Sequence, residues 1–267
     1  MIDTHCHLTF PQFVDRVDEV MANAAAAGVS QVITIGTSSP DARACQRVAN
    51  AHPCVWFSAG LHPLHCDDPN DWNELRECAR DTRCVAWGEL GLDRFHRTPS
   101  LEHQRGALHE HLGHIVQWTD QGLAKPIIIH CRDAFDDLIP ILKASGLPPA
   151  RFVFHCFTAG PREMQMLLEF GASVSFTGVA TYRNAPALRE AIAMVPLERM
   201  MVETDAPFLS PEPVRSVRPC EPAFVVHTAR AIAVQRGLAA TELESILDRN
   251  ARVFFGLPTP DPAHAAS

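Results

Sequence analysis

Met1-Ile2-Asp3-Thr4-His5-Cys6-His7 opens the chain, a short run that ends in two histidines one residue apart. Side chains alternate along a strand, so His5 and His7 leave on one face and Cys6 on the other. Seven further runs resemble this one: 29–35, 54–59, 84–89, 126–130, 151–156, 172–177 and 200–205. All are rich in Val, Ile, Phe or Met and short enough to be strands buried on both faces. Helical periodicity fills the gaps, at 15–27, 41–51, 101–121, 134–144, 161–170 and 185–195, with a last helical pair inside 220–256. Several of these helices stop at glycine (Gly28, Gly122, Gly146, Gly171), as helix ends commonly do. Eight strands alternating with helices predict an α/β fold of the (β/α)8 TIM-barrel type rather than an open doubly wound sheet. One domain over 1–257 is expected, followed by a disordered tail at 258–267 (PTPDPAHAAS).

Active sites of such barrels lie at the C-terminal ends of the strands. Five of the eight runs end there in imidazole or carboxylate: His5 and His7, Glu89, His130, His155, and Glu203 with Asp205. Two imidazoles on one strand can chelate one ion, and the remaining ligands suffice for a second. Glu89, with two oxygens on a central strand, is the natural bridge. Four His and two carboxylates suit Zn²⁺ or Mn²⁺, with Mg²⁺ at a more oxygen-rich position. Taken singly, each residue has a bland explanation, such as a buried polar pair or a helix N-cap. Together, in this order, they predict a divalent metal site and a metal-dependent hydrolase.

Bulk properties narrow the partners. The formal charge is −8, which argues against a broad basic surface for a nucleic-acid backbone but not against a pocket for one phosphodiester beside a cation. The nine cysteines form no C-x-x-C pair and read as reduced thiols. Acid and histidine stand where a signal peptide needs a basic and then an apolar stretch, and no long apolar run is present, so a cytoplasmic location without membrane contact is expected. No obligate protein partner is evident. His109-Glu110-His111 with His114 imitates a metal motif, but Gly113 stands where H-E-x-x-H needs its second histidine; a solvated helix face is expected there. Serine-hydrolase, P-loop and dinucleotide motifs are absent.

The ordered motifs Asp3-Thr4-His5-Cys6-His7-Leu8, Gly60-Leu61-His62-Pro63, Gly88-Glu89-Leu90-Gly91-Leu92-Asp93, Ile129-His130-Cys131-Arg132, His155-Cys156-Phe157-Thr158-Ala159-Gly160 and Glu203-Thr204-Asp205-Ala206-Pro207 resemble the TatD family of metal-dependent deoxyribonucleases, within the amidohydrolase-like barrels. The resemblance covers about residues 2 to 256. It implies that His5 and His7 bind a first metal and His130 and His155 a second, with Glu89 bridging and Asp205 completing the site. Two departures concern the mouth: Arg94 precedes Phe95 where the family commonly has an aromatic residue, and 215–222 reads RSVRPCEP, with the glycine and asparagine of the usual loop replaced.

Hydrolysis by a water activated between two metals follows, with Asp205 as proton shuttle and Glu89 as the other catalytic carboxylate. His62 and Arg132 are candidate substrate-binding residues at the same rim. Glu203 and Asp93 are candidates for orienting the ligands from behind, each with a purely structural alternative. The expected substrate is a DNA end, cleaved in the manner of a 3'-5' exonuclease. The same metal site on an ester, such as an aminoacyl-tRNA, is the enzymatic alternative, and a metal-bearing scaffold is the non-catalytic one.

Overall fold

In the computed structural model, which describes residues 1–259, eight parallel strands pair in the order in which they occur in the chain. They are β1 (Ile2–Cys6), β2 (Gln31–Ile35), β3 (Val55–Ala59), β4 (Cys84–Asp93), β5 (Ile127–Arg132), β6 (Phe152–Phe154), β7 (Ser173–Phe176) and β8 (Met200–Val202). Among the described residues nine α-helices accompany them: α1 (Val17–Ala26), α2 (Ser39–Ala51), α3 (Trp72–Ala79), α4 (Leu101–Asp120), α5 (Phe135–Ala144), α6 (Pro161–Phe170), α7 (Pro186–Met194), α8 (Val225–Arg236) and α9 (Ala240–Phe255). This is the expected TIM barrel. None of these helices is long and apolar enough to cross a membrane.

Closure of the ring between β8 and β1 relies on more than backbone pairing. Cys6 and Ala206 form the one bridge between them, with Asp205 N–H donating to His5 O at 2.9 Å and His7 N–H to Ala206 O at 2.8 Å. Deeper in, the Asp3 carboxylate stands in for the missing ladder. It accepts from Thr204 N–H at 2.9 Å and from the Thr204 hydroxyl at 2.5 Å. Thr4 Oγ1 adds a bond to Val202 O at 3.0 Å. All these contacts adjoin the candidate ligands, so the seam that closes the barrel also positions the site.

Two apolar clusters follow from the two-residue period. One lies inside the barrel and contains Ile2, Ile33, Ile35, Ala86, Ile128, Val153 and Met201, closed from below by Ala251, Phe255 and Leu257. The other lies between strands and helices and is much larger. The interior residues predict the site directly. Two positions after Ile128, Val153 and Met201 come His130, His155 and Glu203, on the same inward face at the opposite end.

Of the tail expected at 258–267, only Pro258 and Thr259 lie within the described residues. The Pro258 carbonyl accepts hydrogen bonds from Gln31 and Arg252, so the chain is still tethered there; 260–267 lie outside the described residues. α4 does not present His109, His111 and His114 on one solvated face: His109 is exposed, while His111 and His114, three residues apart, lie on another side of the helix. His111 is buried against Trp72, with ring centroids 5.1 Å apart, while His114 stacks on Trp118 at 5.0 Å. Trp72 is the first residue of the eight-residue helix α3; its ring also lies 5.0 Å from His114, and its Nε1 donates to Glu110 at 2.8 Å.

Neither ring nitrogen of His111 has a hydrogen-bond partner among the described residues. Burial, and then the neighbouring His114, lowers its pKa to about 3. Below pH 6.5 the unfolded chain therefore takes up a proton that the folded chain refuses, and stability falls with pH until about pH 3. His111→Leu removes this dependence. By pH 5 it should gain about 2 kcal/mol over wild type relative to the difference at pH 8. Denaturant melts at both pH values check this, and parallel curves for the two proteins would contradict it.

Candidate metal centre

Glu89 is the hub. It lies on β4 with only 2% of its surface exposed, and its two oxygens face different imidazoles. Oε1 lies 2.6 Å from His155 Nε2, 2.7 Å from His130 Nδ1 and 3.4 Å from His62 Nε2. Oε2 lies 3.4 Å from His5 Nε2. Burial alone would raise the Glu89 carboxyl; the charges of His155, His62 and His5 and the hydrogen bond of His130 instead hold it well below the usual carboxylate range. Two glycines let the backbone reach this place. A Cβ on Gly60 of the β3 end would stand 2.4 Å from the carbonyl carbon of Gly88, the residue before Glu89. Gly91 has φ +152°, and a Cβ there would stand 1.9 Å from His130 O.

His5 and His7 share one side of β1, as their spacing predicts, with Nε2 atoms 3.3 Å apart. Asp205 Oδ1 completes a triangle, 3.4 Å from His7 Nε2 and 3.6 Å from His5 Nε2. Asp205 does not continue a strand. β8 ends at Val202, and Asp205 adopts φ +57°, which turns its carboxylate toward the mouth; its side chain keeps 15% exposure, more than His5, His7 or Glu89. Burial would raise the Asp205 carboxyl, yet the hydrogen bond with His7 and the charges of His5 and His155 keep it below its ordinary value.

His130 and His155 approach each other to 3.3 Å, and His155 also stacks on His5, with centroids 3.9 Å apart and planes 8° from parallel. His62, expected at the rim as a substrate contact, is drawn further in: its Nε2 is 3.2 Å from His130 Nδ1. Its Nδ1 accepts a hydrogen bond from Leu64 N–H at 3.1 Å. In the neutral ring the proton is then on Nε2, and His62 presents a donor to the centre.

Behind the imidazoles stand the two carboxylates proposed to orient them. Asp93 ends β4, four residues beyond the expected strand end at Glu89. It does not cap α4, whose cap is Ser100. Its Oδ2 lies 3.1 Å from His130 Nε2 and 2.9 Å from His96 Nδ1. Glu203 is buried beneath His155 at 3.4 Å, accepts from Cys156 N–H at 2.6 Å and bonds the Ser175 hydroxyl. Arg132 is not drawn in. Its guanidinium lies over the Phe95 ring, 3.7 Å from the centroid. The roles of Asp3, Gly60 and Phe95 are not legible locally: their partners Thr204, Gly88 and Arg132 lie 28 or more residues away along the chain.

The donor set fits divalent cations. Three groups of His, Asp and Glu converge closely enough to hold one: His5 with His7 and Asp205; His5 with His155 and Glu203; and His62 with Glu89 and His130. The separations in the first group resemble the edge of a tetrahedron whose metal–ligand bonds are about 2.0–2.1 Å, an edge of about 3.3–3.4 Å. Facing Nε2 atoms on His5 and His7 leave one lone pair unmatched unless a proton or a cation lies between them.

The sequence profile of the family described as "TatD related DNase" matches residues 2–256. The chain is 36% identical over 258 residues to an "Uncharacterized metal-dependent hydrolase YcfH" of Escherichia coli K12, covering 95% of each. It is 35% identical over 268 residues to a "3'-5' ssDNA/RNA exonuclease TatD" of Klebsiella pneumoniae strain 342, covering 96% of this chain and 98% of that one. The solved YjjV, a TatD homologue of E. coli K12, superposes with a TM-score of 0.88 at 29% identity over 97% of this chain and 98% of that one.

Gly60→Ala tests the packing that seats Glu89. The new methyl should cost about 1–3 kcal/mol of stability. It should also lower the divalent metal retained per chain, as measured by mass spectrometry of the purified protein. Unchanged melting and metal content would contradict this account of the seat.

Proposed function

This chain belongs to the TatD-related DNase family of metal-dependent hydrolases, and from that premise we propose that it hydrolyses phosphodiesters at single-stranded DNA ends, as a 3'-5' exonuclease, with two divalent ions held by His5, His7, Glu89, His130, His155 and Asp205. One observation carries this reading: Glu89 turns its two oxygens toward two separate sets of imidazoles, the arrangement a bridging carboxylate needs. The substrate class comes from the exonuclease names of relatives about 35% identical over nearly the full chain.

Divalent ions in these positions would lower the pKa of a water and neutralise charge developing on phosphoryl oxygens. The chain's own groups do the rest. Asp205, ionised and the most solvent-facing of the two candidate carboxylate ligands, takes the proton of the attacking water. His62 donates from Nε2 to a phosphoryl oxygen, since its other nitrogen is engaged by Leu64. Asp93 holds His130 from behind and Glu203 holds His155, so that neither ring turns away from Glu89. Arg132, braced by Phe95, keeps its guanidinium edge for a backbone phosphate.

With Mg²⁺, Mn²⁺ or Zn²⁺ supplied, wild type should shorten single-stranded DNA labelled at its 5' end to a ladder of fragments that keep the label. Asp205→Asn should lower kcat by about 10²–10⁴-fold. Glu89→Gln and treatment with EDTA should abolish the activity. Nuclease activity that survives either treatment overturns the reading. Hydrolysis of carboxylic esters without any cleavage of DNA moves the site to the ester alternative.

A further inference from the structure

Aromatic rings stand exposed on opposite walls of the mouth. On one wall Phe95, two residues past β4, is 58% exposed, with the Arg132 guanidinium on one face of its ring. Arg132 ends β5, is itself exposed and forms no ion pair among the described residues. On the other wall Phe208, past β8, is 45% exposed and meets Phe10, past β1, edge to face at 6.1 Å. Phe10 in turn stacks on the candidate ligand His7, with centroids 4.4 Å apart.

Strand order fixes how these pairs are disposed. In a ring ordered β1 to β8, with β8 closing on β1, strands β4 and β5 lie across the barrel from β8 and β1. The Phe95–Arg132 pair and the Phe208–Phe10 pair therefore face each other across the mouth. The candidate centre lies between them, tied to one pair through His7 and to the other through Asp93 and His130, two residues before Phe95 and Arg132 respectively.

Phenyl rings left in water beside a polar centre lose hydrophobic stabilisation that an inward packing would supply. Planar bases on an extended strand recover it, because every base has a face to stack while its phosphate stays in solvent or against a cation. A guanidinium on a ring extends the flat surface and adds positive charge where the phosphates run. A paired base keeps its faces inside the duplex and cannot use such a platform.

We propose that Phe95 with Arg132 and Phe208 with Phe10 are two stacking platforms that take the bases on either side of the scissile phosphate, and that they make the centre selective for unpaired nucleic acid. The inference rests on the phosphodiesterase reading above. It adds that two consecutive unpaired bases are gripped at once, so a duplex end must fray by at least that much before it is cut.

Octathymidylate, intact or with one abasic residue on either side of the cleaved linkage, separates the outcomes. Phe95→Ala and Phe208→Ala should each raise KM for the intact octamer on the order of tenfold with kcat little changed. Each should weaken binding of a fluorescent phosphorothioate octamer, read by anisotropy, by a similar factor. In wild type an abasic residue should cost the same factor. Each variant should lose nothing more when the base at its own platform is removed, while still losing the factor at the other. Unchanged KM and binding in both variants, with wild type active on DNA, overturn the platforms and leave the phosphodiesterase reading standing. So does a wild type indifferent to the abasic residues, since Phe95 and Phe208 would then act only by packing. A wild type that cleaves esters but no oligonucleotide overturns both.

Discussion

A carboxylate buried like Glu89 is tolerated only opposite positive charge, and that constraint organises the barrel mouth. Moving an unpaired carboxylate out of water costs several kcal/mol; His130 and His155, whose imidazoles are held in the charged form more firmly than usual, offset it, and the neutral His62 ring adds a donor. Those imidazoles are themselves buried and need carboxylates in turn. Asp93 answers His130, Glu203 answers His155, and Asp205 answers His7. The network is shared rather than pairwise: Glu89 alone faces four imidazoles. The network also spans the seam between β1 and β8, where backbone pairing is sparse and Asp3 and Thr204 complete the join. The polar groups that would otherwise destabilise the barrel thus help to close it.

Much of this is legible in the sequence because a strand's period is two. Once Ile128, Val153 and Met201 are read as interior, His130, His155 and Glu203 must follow on the same face. The H-x-H of β1 works in the same way. Where the period breaks, local reading fails. Cys156 and Asp205 have positive φ, so β6 and β8 end earlier than their apolar runs suggest, and Asp205 does not simply share the face of Glu203. β4 errs in the other direction. Leu90, Gly91, Leu92 and Asp93 keep pairing with Ile129 through Arg132, because Gly91 lets the strands approach.

Long-range contacts account for the remaining differences. His111 looks polar and exposed on a helix with charged neighbours, but the short helix α3 covers it with Trp72. His62 looks like a rim residue, but Leu64 N–H fixes its ring and directs Nε2 at His130 and Glu89. Arg132 stands exposed past His130 as its position suggests, and Phe95, far from it in sequence, fixes the plane of its guanidinium. The loop at 215–222 is anchored at Glu221, which accepts a hydrogen bond from Asn23 and pairs with Arg16. In each case the residue's chemistry is plain in the sequence, and its surroundings come from a segment far along the chain.

The central claim is that one carboxylate bridges two ions. Crystals grown with Mn²⁺ and measured at the manganese absorption edge test it most directly. The account predicts two anomalous peaks, one contacting His5, His7 and one Glu89 oxygen, the other contacting the second Glu89 oxygen and His130 or His155. A single peak, or two peaks of which only one touches Glu89, would contradict it.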